Sequence, residues 1–472
     1  MNRQRMNRQA SKPQSSDGSI EQAPHVTASP ARRWSTPAAV RRFGVSGRNP
    51  LVIGLHVVAA VAVLTWWFTA VRPPEGLDYG VYRTGAATLY HLLGMDGDLY
   101  WPAEGLHGPR GMPFTYPPFA AMVLGPTAVL SFGDGLLLMM AVTMVAAVLV
   151  AVVILRWWDG ETGTGAARPL ARAVVPVVWL TTGILVSGPW RDTIFFGQIN
   201  AALAFLCLVD LIGLTGRARG VLIGVAAGIK LTPLAFGLYF LARRDRRGLA
   251  WLVGGFAATV AIAFLAFPAP SVQFWTETVR ETGRIGGFEY ADNVAVRGAL
   301  EQLGLSTSIA GIVWLPLVVA LVVAGWVVIR AGERLAAPWL GIAAAALVML
   351  LVSPISWSHH WVWWPLIACA GVLLHRRLRA TDAAGPDGAT PSRWWARAHA
   401  TALTVFTVFF LISPKVLALW TGSDVDVSTS RLSAVLASLG TLSGTTLLVC
   451  WALAARRRPT VPAEPIATGV SR

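Results

Sequence analysis

Charge, lysine and cysteine are all scarce in this sequence. Of its 472 residues, 13% are charged and 54% are apolar, whereas a soluble globular protein carries about twice that share of charge. The three cysteines, Cys207, Cys369 and Cys450, all lie inside apolar runs. Their spacing therefore gives neither a metal site nor a disulfide framework. The composition excludes a soluble globular protein and a disulfide-stabilised secreted one.

The net charge of +15 comes almost entirely from arginine, because the only lysines are Lys12, Lys230 and Lys415. The basic residues cluster at the ends of apolar runs. This distribution is typical of membrane topology signals and not of nucleic-acid binding, so no nucleic-acid partner is expected.

Several apolar runs approach or exceed about 18 residues, which predicts an all-α, polytopic membrane protein. The first run, Leu51–Val71, lacks the short apolar core and small-residue cleavage site of a secretory signal, so it is predicted to be an anchor. Placing nearly all basic clusters on the cytoplasmic side gives about 12 crossings, with both termini cytoplasmic and interfacial helices in the outer loops.

The predicted organisation has five parts. Residues 1–48, rich in Ser, Pro, Gln and Arg, are predicted to be a disordered cytoplasmic tail. Residues 49–375 form the catalytic transmembrane core, residues 376–398 a cytoplasmic linker, and residues 399–458 a C-terminal helix pair. Residues 459–472 form a second disordered tail.

Three segments depart from simple crossings. Gly220–Ala242 has arginines at both ends, and two short helices with a break near Lys230–Pro233 would keep both clusters on one side. Such interrupted helices occur where they are covered by protein or line a wet cavity. Tyr116–Phe132 contains three prolines and is predicted to dip or lie beside the membrane. Gln273–Ile285 is predicted to be an interfacial helix.

Asp78 follows the first span within a few residues. Tyr79, Val81, Tyr82 and Ala86 come after it at roughly helical spacing, which predicts an amphipathic helix along the interface with a carboxylate near its start. Asp78 is therefore a candidate catalytic base. The alternative is a solvated acid near a helix N-terminus.

The predicted topology leaves a small set of polar residues on the outer side, which together suit an anionic headgroup and a sugar. The set contains an acid, several cations, two histidines and an aromatic residue. It comprises Asp78, Arg83, Tyr116, Arg191, Asp192, Gln198, Lys230, Asn293, Arg297, His359 and His360.

Lys230 is the only lysine in the first ten predicted spans. A cation held at membrane depth costs a few kcal/mol, so such charges usually face a cavity and a partner, here a phosphate. The alternative is a side chain that snorkels to the headgroups. Lys415 is predicted to lie near the outer end of the eleventh span, where it can reach water.

His359 and His360 follow a Ser-Pro-x-Ser-Trp segment. Adjacent residues on a helix point about 100° apart, so the pair is expected to contact phosphate or hydroxyl groups and not to share a metal ion. Structural hydrogen bonds to a loop are the alternative. Arg297 is a phosphate candidate or a solvated loop residue. Arg191 and Asp192 contribute to the site or form a local ion pair.

Five short motifs resemble glycosyltransferase family 87, whose members are mannosyltransferases of the GT-C fold. The likeness covers roughly residues 50–375. The motifs are Asp78-x-x-x-Tyr-Arg83, Phe114-Thr-Tyr-Pro-Pro118, Gly197-Gln-Ile-Asn200, Gly224-x-x-x-Gly-Ile-Lys-Leu-Thr-Pro233 and Ser353-Pro-x-Ser-Trp-x-His-His360. The second outer loop departs from the Asn-x-Ser that is frequent in the family, because Val294 follows Asn293.

The resemblance implies a polyprenyl-phosphate-mannose donor, a glycolipid or lipoglycan acceptor, an α-1,2 linkage formed with inversion, and an active site on the extracytoplasmic face of the cell membrane. Asp78 would be the general base. Lys230, a histidine and Arg297 would neutralise the departing lipid phosphate. Substrate contacts would come from the remaining candidates, Tyr116, Gln198, Arg191, Asp192 and Arg83.

No metal and no cofactor are expected, since a lipid phosphate leaves readily once its charge is neutralised. Asp424-Val-Asp426 is predicted to be a solvated loop, away from the outer site. Two alternatives remain open: a donor with another sugar, such as arabinofuranose, and a flippase for lipid-linked sugars. A broken helix at Lys230 would also serve a flippase, although the sequence shows neither a repeat nor a second broken helix in the other half.

Overall fold

The structure is a computed structural model, and it describes residues 50–71, 73–94, 97–100, 111–162, 170–382, 393–421 and 430–456. The two predicted tails and the Asp424–Asp426 loop lie outside these residues. The predicted linker overlaps them in part, because the helix that precedes it continues to Asp382.

The described chain is helical, and its one isolated β-bridge joins Asn293 to Trp357. Eighteen α-helices follow one another along these ranges. They are α1 Pro50–Trp66, α2 Leu77–Leu89, α3 Pro118–Ala128, α4 Phe132–Glu161, α5 Leu170–Val186, α6 Gly188–Phe196, α7 Asn200–Leu211, α8 Val221–Ile229, α9 Gly237–Arg243, α10 Arg246–Ala266, α11 Pro268–Thr276, α12 Val296–Gln302, α13 Thr307–Arg334, α14 Pro338–Val352, α15 Trp364–Asp382, α16 Arg393–Ile412, α17 Pro414–Trp420 and α18 Arg431–Ala455.

Six helical stretches in the described residues are long and apolar enough to cross a membrane: α1 with the π-turn that extends it, α4, α10, α13, α16 and α18. A seventh is possible if α5 and α6, which are bent by 70° at Ser187, form one broken span. The all-α membrane architecture therefore agrees with the sequence prediction. The predicted number of about 12 crossings is not confirmed, since α7 has 12 residues and α14 has 15, shorter than the ~20 residues that cross a bilayer.

The segment between the two arginine clusters is a helical hairpin. Helix α8 ends at Ile229, Lys230 has an extended backbone, and a 3₁₀ turn over Thr232–Phe236 leads into α9. The two ends of the hairpin meet, because Arg219 Nη2 lies 2.8 Å from Asp245 Oδ2. The predicted break near Lys230 is therefore present, and both arginine clusters lie at one end with Lys230 at the other.

Glycines allow α8 to lie directly against α10. A Cβ atom at Gly220 would come 2.1 Å from the carbonyl oxygen of Gly248, and one at Gly224 would come 2.3 Å from that of Leu252. Gly228 faces Thr259 in the same way. The two helices thus run in the same direction at close range, which fixes the position of Lys230 at the end of α8.

The end of the hairpin that carries the arginines belongs to a larger basic end of the molecule. Arg243 Nε lies 3.1 Å from Glu333 Oε1 at the end of α13, and Arg334 donates to the carbonyl of Ala455 at the end of α18. Several helices therefore finish together on this side, and the C-terminal helix α18 is packed against the rest of the described core.

Two segments differ from the interfacial helices that the sequence predicts. Helix α2 is buried on most of its surface, since Tyr79, Tyr82 and Ala86 are 0–1% exposed. Its aromatic rings fill spaces opposite glycines; a Cβ atom at Gly135 would collide with the hydroxyl of Tyr79. Residues 273–285 do not form one helix, because α11 ends at Thr276 and two 3₁₀ turns follow.

Candidate active site

A cavity of about 540 Å³ opens at the end of the hairpin that carries Lys230. Six of the ten predicted site residues line it, although they come from segments far apart in the sequence. They are Asp78, Tyr116, Gln198, Lys230, His359 and His360. The structure therefore brings the carboxylate and the lysine of the sequence prediction to one cavity.

Asp78 is the second residue of α2. The helix begins after Gly76, whose φ of 73° suits glycine, and the backbone N–H groups of Glu75 and Gly76 both donate to the carbonyl of Phe195 at 2.9 Å. Asp78 is half-buried and lines the cavity. Burial raises the pKa of Asp78 to about 6, against the opposing effects of the Gln198 hydrogen bond and the Lys230 charge.

Gln198 connects the carboxylate to the aromatic wall. It follows Gly197, which ends α6 with a φ of 65°. Its Oε1 accepts hydrogen bonds from the hydroxyl of Tyr82 at 2.6 Å and from the backbone N–H of Ile199 at 3.0 Å. These bonds fix the orientation of the amide, so Nε2 donates to Asp78 Oδ2 at 3.0 Å. The Gly-Gln-Ile-Asn motif is thus a helix junction that aims an amide at the carboxylate.

Lys230 is held by two uncharged acceptors. Its ammonium donates to Asn200 Oδ1 at 2.9 Å and to His360 Nε2 at 3.0 Å, and it lies 5.4 Å from the centre of the Tyr116 ring. Burial and the adjacent ammonium hold the pKa of His360 well below its ordinary value, so the ring is neutral and Nε2 can accept. Neither hydrogen-bond acceptor neutralises the charge of Lys230.

His359 lies between Gln198 and the loop before α15. Its Nε2 is 3.4 Å from Gln198 Nε2, and its carbonyl accepts a hydrogen bond from Asn200 Nδ2 at 3.1 Å. The buried Nδ1 atom has no hydrogen-bond partner among the described residues. An unpaired buried group of this kind costs free energy, so it is a candidate contact for a bound ligand.

Four predicted site residues do not line the cavity. Arg191 Nε pairs with Asp192 Oδ1 at 3.5 Å, and Arg83 donates to the carbonyl of Leu130 at 3.2 Å. The guanidinium of Arg297 lies 3.3 Å from a Glu301 carboxylate oxygen and 3.8 Å from the centre of the Phe288 ring. These cations are therefore engaged by other parts of the protein.

Lys415 and Asp292 are an ion pair at the cavity that was not among the predicted site residues. Lys415, expected to reach water, is 9% exposed and lies 3.5 Å from Asp192 Oδ2 and 3.2 Å from Asp292 Oδ2. Lys415 and Asp292 both line the cavity. The signal for Lys415 was present in the sequence, because a lysine between apolar residues needs a partner just as Lys230 does.

Asn293, one of the polar residues expected outside, has a structural role here. Its side-chain Oδ1 accepts from the backbone N–H of Ser356 at 2.9 Å, and its Nδ2 donates to the carbonyl of Phe288 at 3.0 Å. Asn293 therefore joins the loop before α12 to the loop after α14. Within the described ranges no three His, Cys, Asp or Glu residues are grouped to hold a metal ion.

Comparison with known proteins identifies the family of the chain. Residues 114–354 match the model of glycosyltransferase family 87. A polyprenol-phosphate-mannose-dependent alpha-(1-2)-phosphatidylinositol mannoside mannosyltransferase of Mycolicibacterium smegmatis is 36% identical over 69% of this chain and 76% of its own length. The protein of the same name from Mycobacterium tuberculosis is 32% identical over 73% of this chain and 81% of its own length.

A further relative from Mycolicibacterium smegmatis is described as a phosphatidylinositol pentamannoside mannosyltransferase that depends on the same donor. It is 32% identical over 82% of this chain and 89% of its own length. No solved structure matches the chain. The chain belongs to glycosyltransferase family 87, and it is a glycosyltransferase.

Proposed function

We propose that this membrane glycosyltransferase moves mannose from polyprenyl-phosphate mannose to a hydroxyl of a phosphatidylinositol-mannoside-type glycolipid. The observation that carries the proposal is that the Asp78 carboxylate and the Lys230 ammonium line the same cavity. The named activities of the relatives supply the donor and the acceptor class.

Asp78 is the general base in this reaction. Its carboxylate takes the proton of the acceptor hydroxyl while that oxygen attacks the anomeric carbon of the donor. Because burial raises the pKa of Asp78 to about 6, the group is a stronger base than an ordinary aspartate and is still largely ionised near neutral pH. The Gln198 amide holds Oδ2 in place.

Lys230 stabilises the leaving group. As the bond between the anomeric carbon and the phosphate oxygen breaks, its electron pair goes to the lipid phosphate. The ammonium can neutralise that charge because its direct hydrogen-bond partners, Asn200 and His360, are uncharged. His359 Nδ1 offers a second buried contact for a substrate oxygen.

A single displacement of this kind inverts the anomeric carbon, so a β-linked phosphate donor gives an α-mannoside. The proposed linkage is α-1,2, as in the names of the relatives. The proposed fold type is GT-C. Its support is the all-helical membrane architecture, with the carboxylate of Asp78 a few residues after the first span.

The cavity is proposed to face the extracytoplasmic side of the cell membrane. Arginines collect at the opposite end of the hairpin from Lys230, and the ends of α13 and α18 meet there too. Basic groups favour the cytoplasmic side. The side that carries Asp78 and Lys230 is therefore the outer one.

The test is a transfer assay in membranes that contain Asp78→Asn. The amide keeps the shape of the side chain and removes its basicity, so transfer from labelled polyprenyl-phosphate mannose should fall by about 10²- to 10⁴-fold at equal protein level. Asp245→Asn is the matched control, because Asp245 pairs with Arg219 at the far end of the hairpin. Undiminished transfer by Asp78→Asn would contradict the assigned base. Transfer from an arabinofuranose donor instead of the mannose donor would contradict the assigned sugar.

A further inference from the structure

Four charged groups meet beside the cavity, and their formal charges cancel. Arg191 pairs with Asp192, and the Lys415 ammonium lies between Asp192 Oδ2 and Asp292 Oδ2. All four residues are buried, since Arg191 and Asp292 are 7% exposed, Lys415 is 9% exposed and Asp192 is fully buried. This cluster therefore presents no net charge to a ligand.

Asp292 has one oxygen that the cluster does not use. Its Oδ2 contacts Lys415, whereas its Oδ1 is buried and accepts no hydrogen bond from the described residues. Asp292 lines the cavity, but Asp192 does not. A buried carboxylate oxygen without a donor is costly, so a group that donates a hydrogen bond from inside the cavity would be bound strongly there.

The position of Asp292 is fixed by its neighbours. The backbone N–H of Ser358 donates to the carbonyl of Asp292 at 3.0 Å. The side chain of Asn293 joins the same loop to Ser356 and Phe288, and Gln302 donates to the carbonyl of Asn293 at 3.0 Å. Asp292 therefore stands on a braced loop, which lowers the entropic cost of ligand binding.

The chemistry of this wall suits neutral hydroxyl groups. A phosphate ester monoanion or dianion brings mainly acceptors to the unpaired carboxylate oxygen, whereas Lys230 offers it a charged donor whose own hydrogen-bond acceptors are uncharged. We infer that Asp292 is a sugar-recognition residue that accepts a hydrogen bond from a hexose hydroxyl, with Lys415 holding its carboxylate in place. This makes α17, which lies outside the matched family region, part of the substrate site.

The inference rests on the proposed function, because it assumes that a sugar enters this cavity. The hydroxyl can belong to the transferred mannose or to the terminal mannose of the acceptor. The two sources share the same chemistry, and the experiment separates them by altering one substrate at a time.

The experiment compares wild type with Asp292→Asn on substrates that lack single hydroxyl groups. Deoxy analogues of the donor and of the acceptor are assayed separately, and kcat/KM is measured for each. One analogue should cost wild type about 10- to 100-fold, the value of a hydrogen bond to a charged acceptor, and should cost Asp292→Asn much less. The substrate to which that analogue belongs identifies the bound sugar. Asp292→Glu is the second variant, in case the amide lowers the protein level.

Asp192→Asn is the matched control. Asp192 contacts the same ammonium as Asp292 but does not line the cavity, so this variant should keep the wild-type preference among analogues. If Asp192→Asn and Asp292→Asn lose that preference equally, the effect passes through Lys415 and the direct contact is overturned. If every analogue costs wild type and Asp292→Asn the same factor, the sugar contact is overturned while mannose transfer stands. If wild type transfers no mannose, the proposed function and the sugar contact fall together.

Discussion

Two lysines line the same cavity, and their surroundings differ in one decisive respect. Lys230 donates to Asn200 and His360, which are uncharged, whereas Lys415 lies between the carboxylates of Asp192 and Asp292. The charge of Lys415 is therefore compensated by carboxylates of the protein itself. The charge of Lys230 remains available to an anion that enters the cavity.

This difference shows why buried charge alone does not identify a catalytic group. A half-buried cation whose direct hydrogen-bond partners are all uncharged is only partly compensated in the empty protein, so its presence is explained best by an anionic ligand that completes it. A buried cation with two carboxylates is already compensated, and its role is to hold those carboxylates. The part of the cavity at Lys230 and the part at Lys415 and Asp292 are thus suited to different parts of one substrate.

The largest effect is expected for Lys230→Met. Removing the ammonium leaves the lipid phosphate without its counter-charge, so transfer should fall by about 10²- to 10³-fold, the usual cost of losing one group that stabilises developing charge. Folding should be affected less than in Lys415→Met, because Asn200 and His360 are left as uncharged groups and no carboxylate loses a direct ion-pair partner. The measurement is transfer per amount of purified protein, together with thermal unfolding in detergent. A variant that unfolds early but transfers normally would reverse the assignment of the two lysines.

Lys415→Met should show the opposite pattern. It leaves the Asp192 and Asp292 carboxylates buried without their common partner, which typically costs about 3–5 kcal/mol. The expected result is a clear loss of thermal stability in detergent. The double variant Lys415→Met with Asp292→Asn removes one of the stranded charges and should recover part of that loss. If the double variant is less stable than Lys415→Met, the ion pair does not carry the effect.

The sequence predicted the elements that place charged residues within or beside apolar runs, because burying a charge in a membrane costs free energy. A lysine inside an apolar run and arginines at both ends of Gly220–Ala242 left few arrangements, and the hairpin with Lys230 at its apex is the one observed. The predicted count of about 12 crossings is not confirmed. The distribution of basic residues indicates on which side an apolar run ends, but it does not show whether the helix is long enough to cross the membrane. Helices α5 and α6, for example, meet at Ser187 with a bend of 70°.

Contacts between segments that are far apart in the chain could not be predicted from the sequence. The partner of Lys415 lies more than a hundred residues away, in a loop whose position depends on Asn293. Arg297 was predicted to bind phosphate because a guanidinium suits that ligand, yet Glu301 is four residues further along α12 and pairs with it. That spacing is a sequence signal for a local ion pair, and here the local pair forms.

The smallest expected effect concerns the pH dependence of mannose transfer, and it compares Asp78, beside Lys230, with Asp192, beside Lys415. Because Asp78 must be ionised to act as the base and its pKa is raised to about 6, kcat/KM for mannose transfer should fall about tenfold per unit below that pH. It should also fall above about pH 8, because burial lowers the pKa of Lys230 to about 8 and the ammonium loses its proton there. The hydrogen bond from Gln198 favours the ionised form, so Gln198→Leu should move the acid limb to higher pH. Asp192 does not line the cavity, so Asp192→Asn should leave the acid limb of the pH profile near its wild-type position. A profile that stays flat well below pH 6 in wild type would show that the reaction does not depend on the ionisation of Asp78.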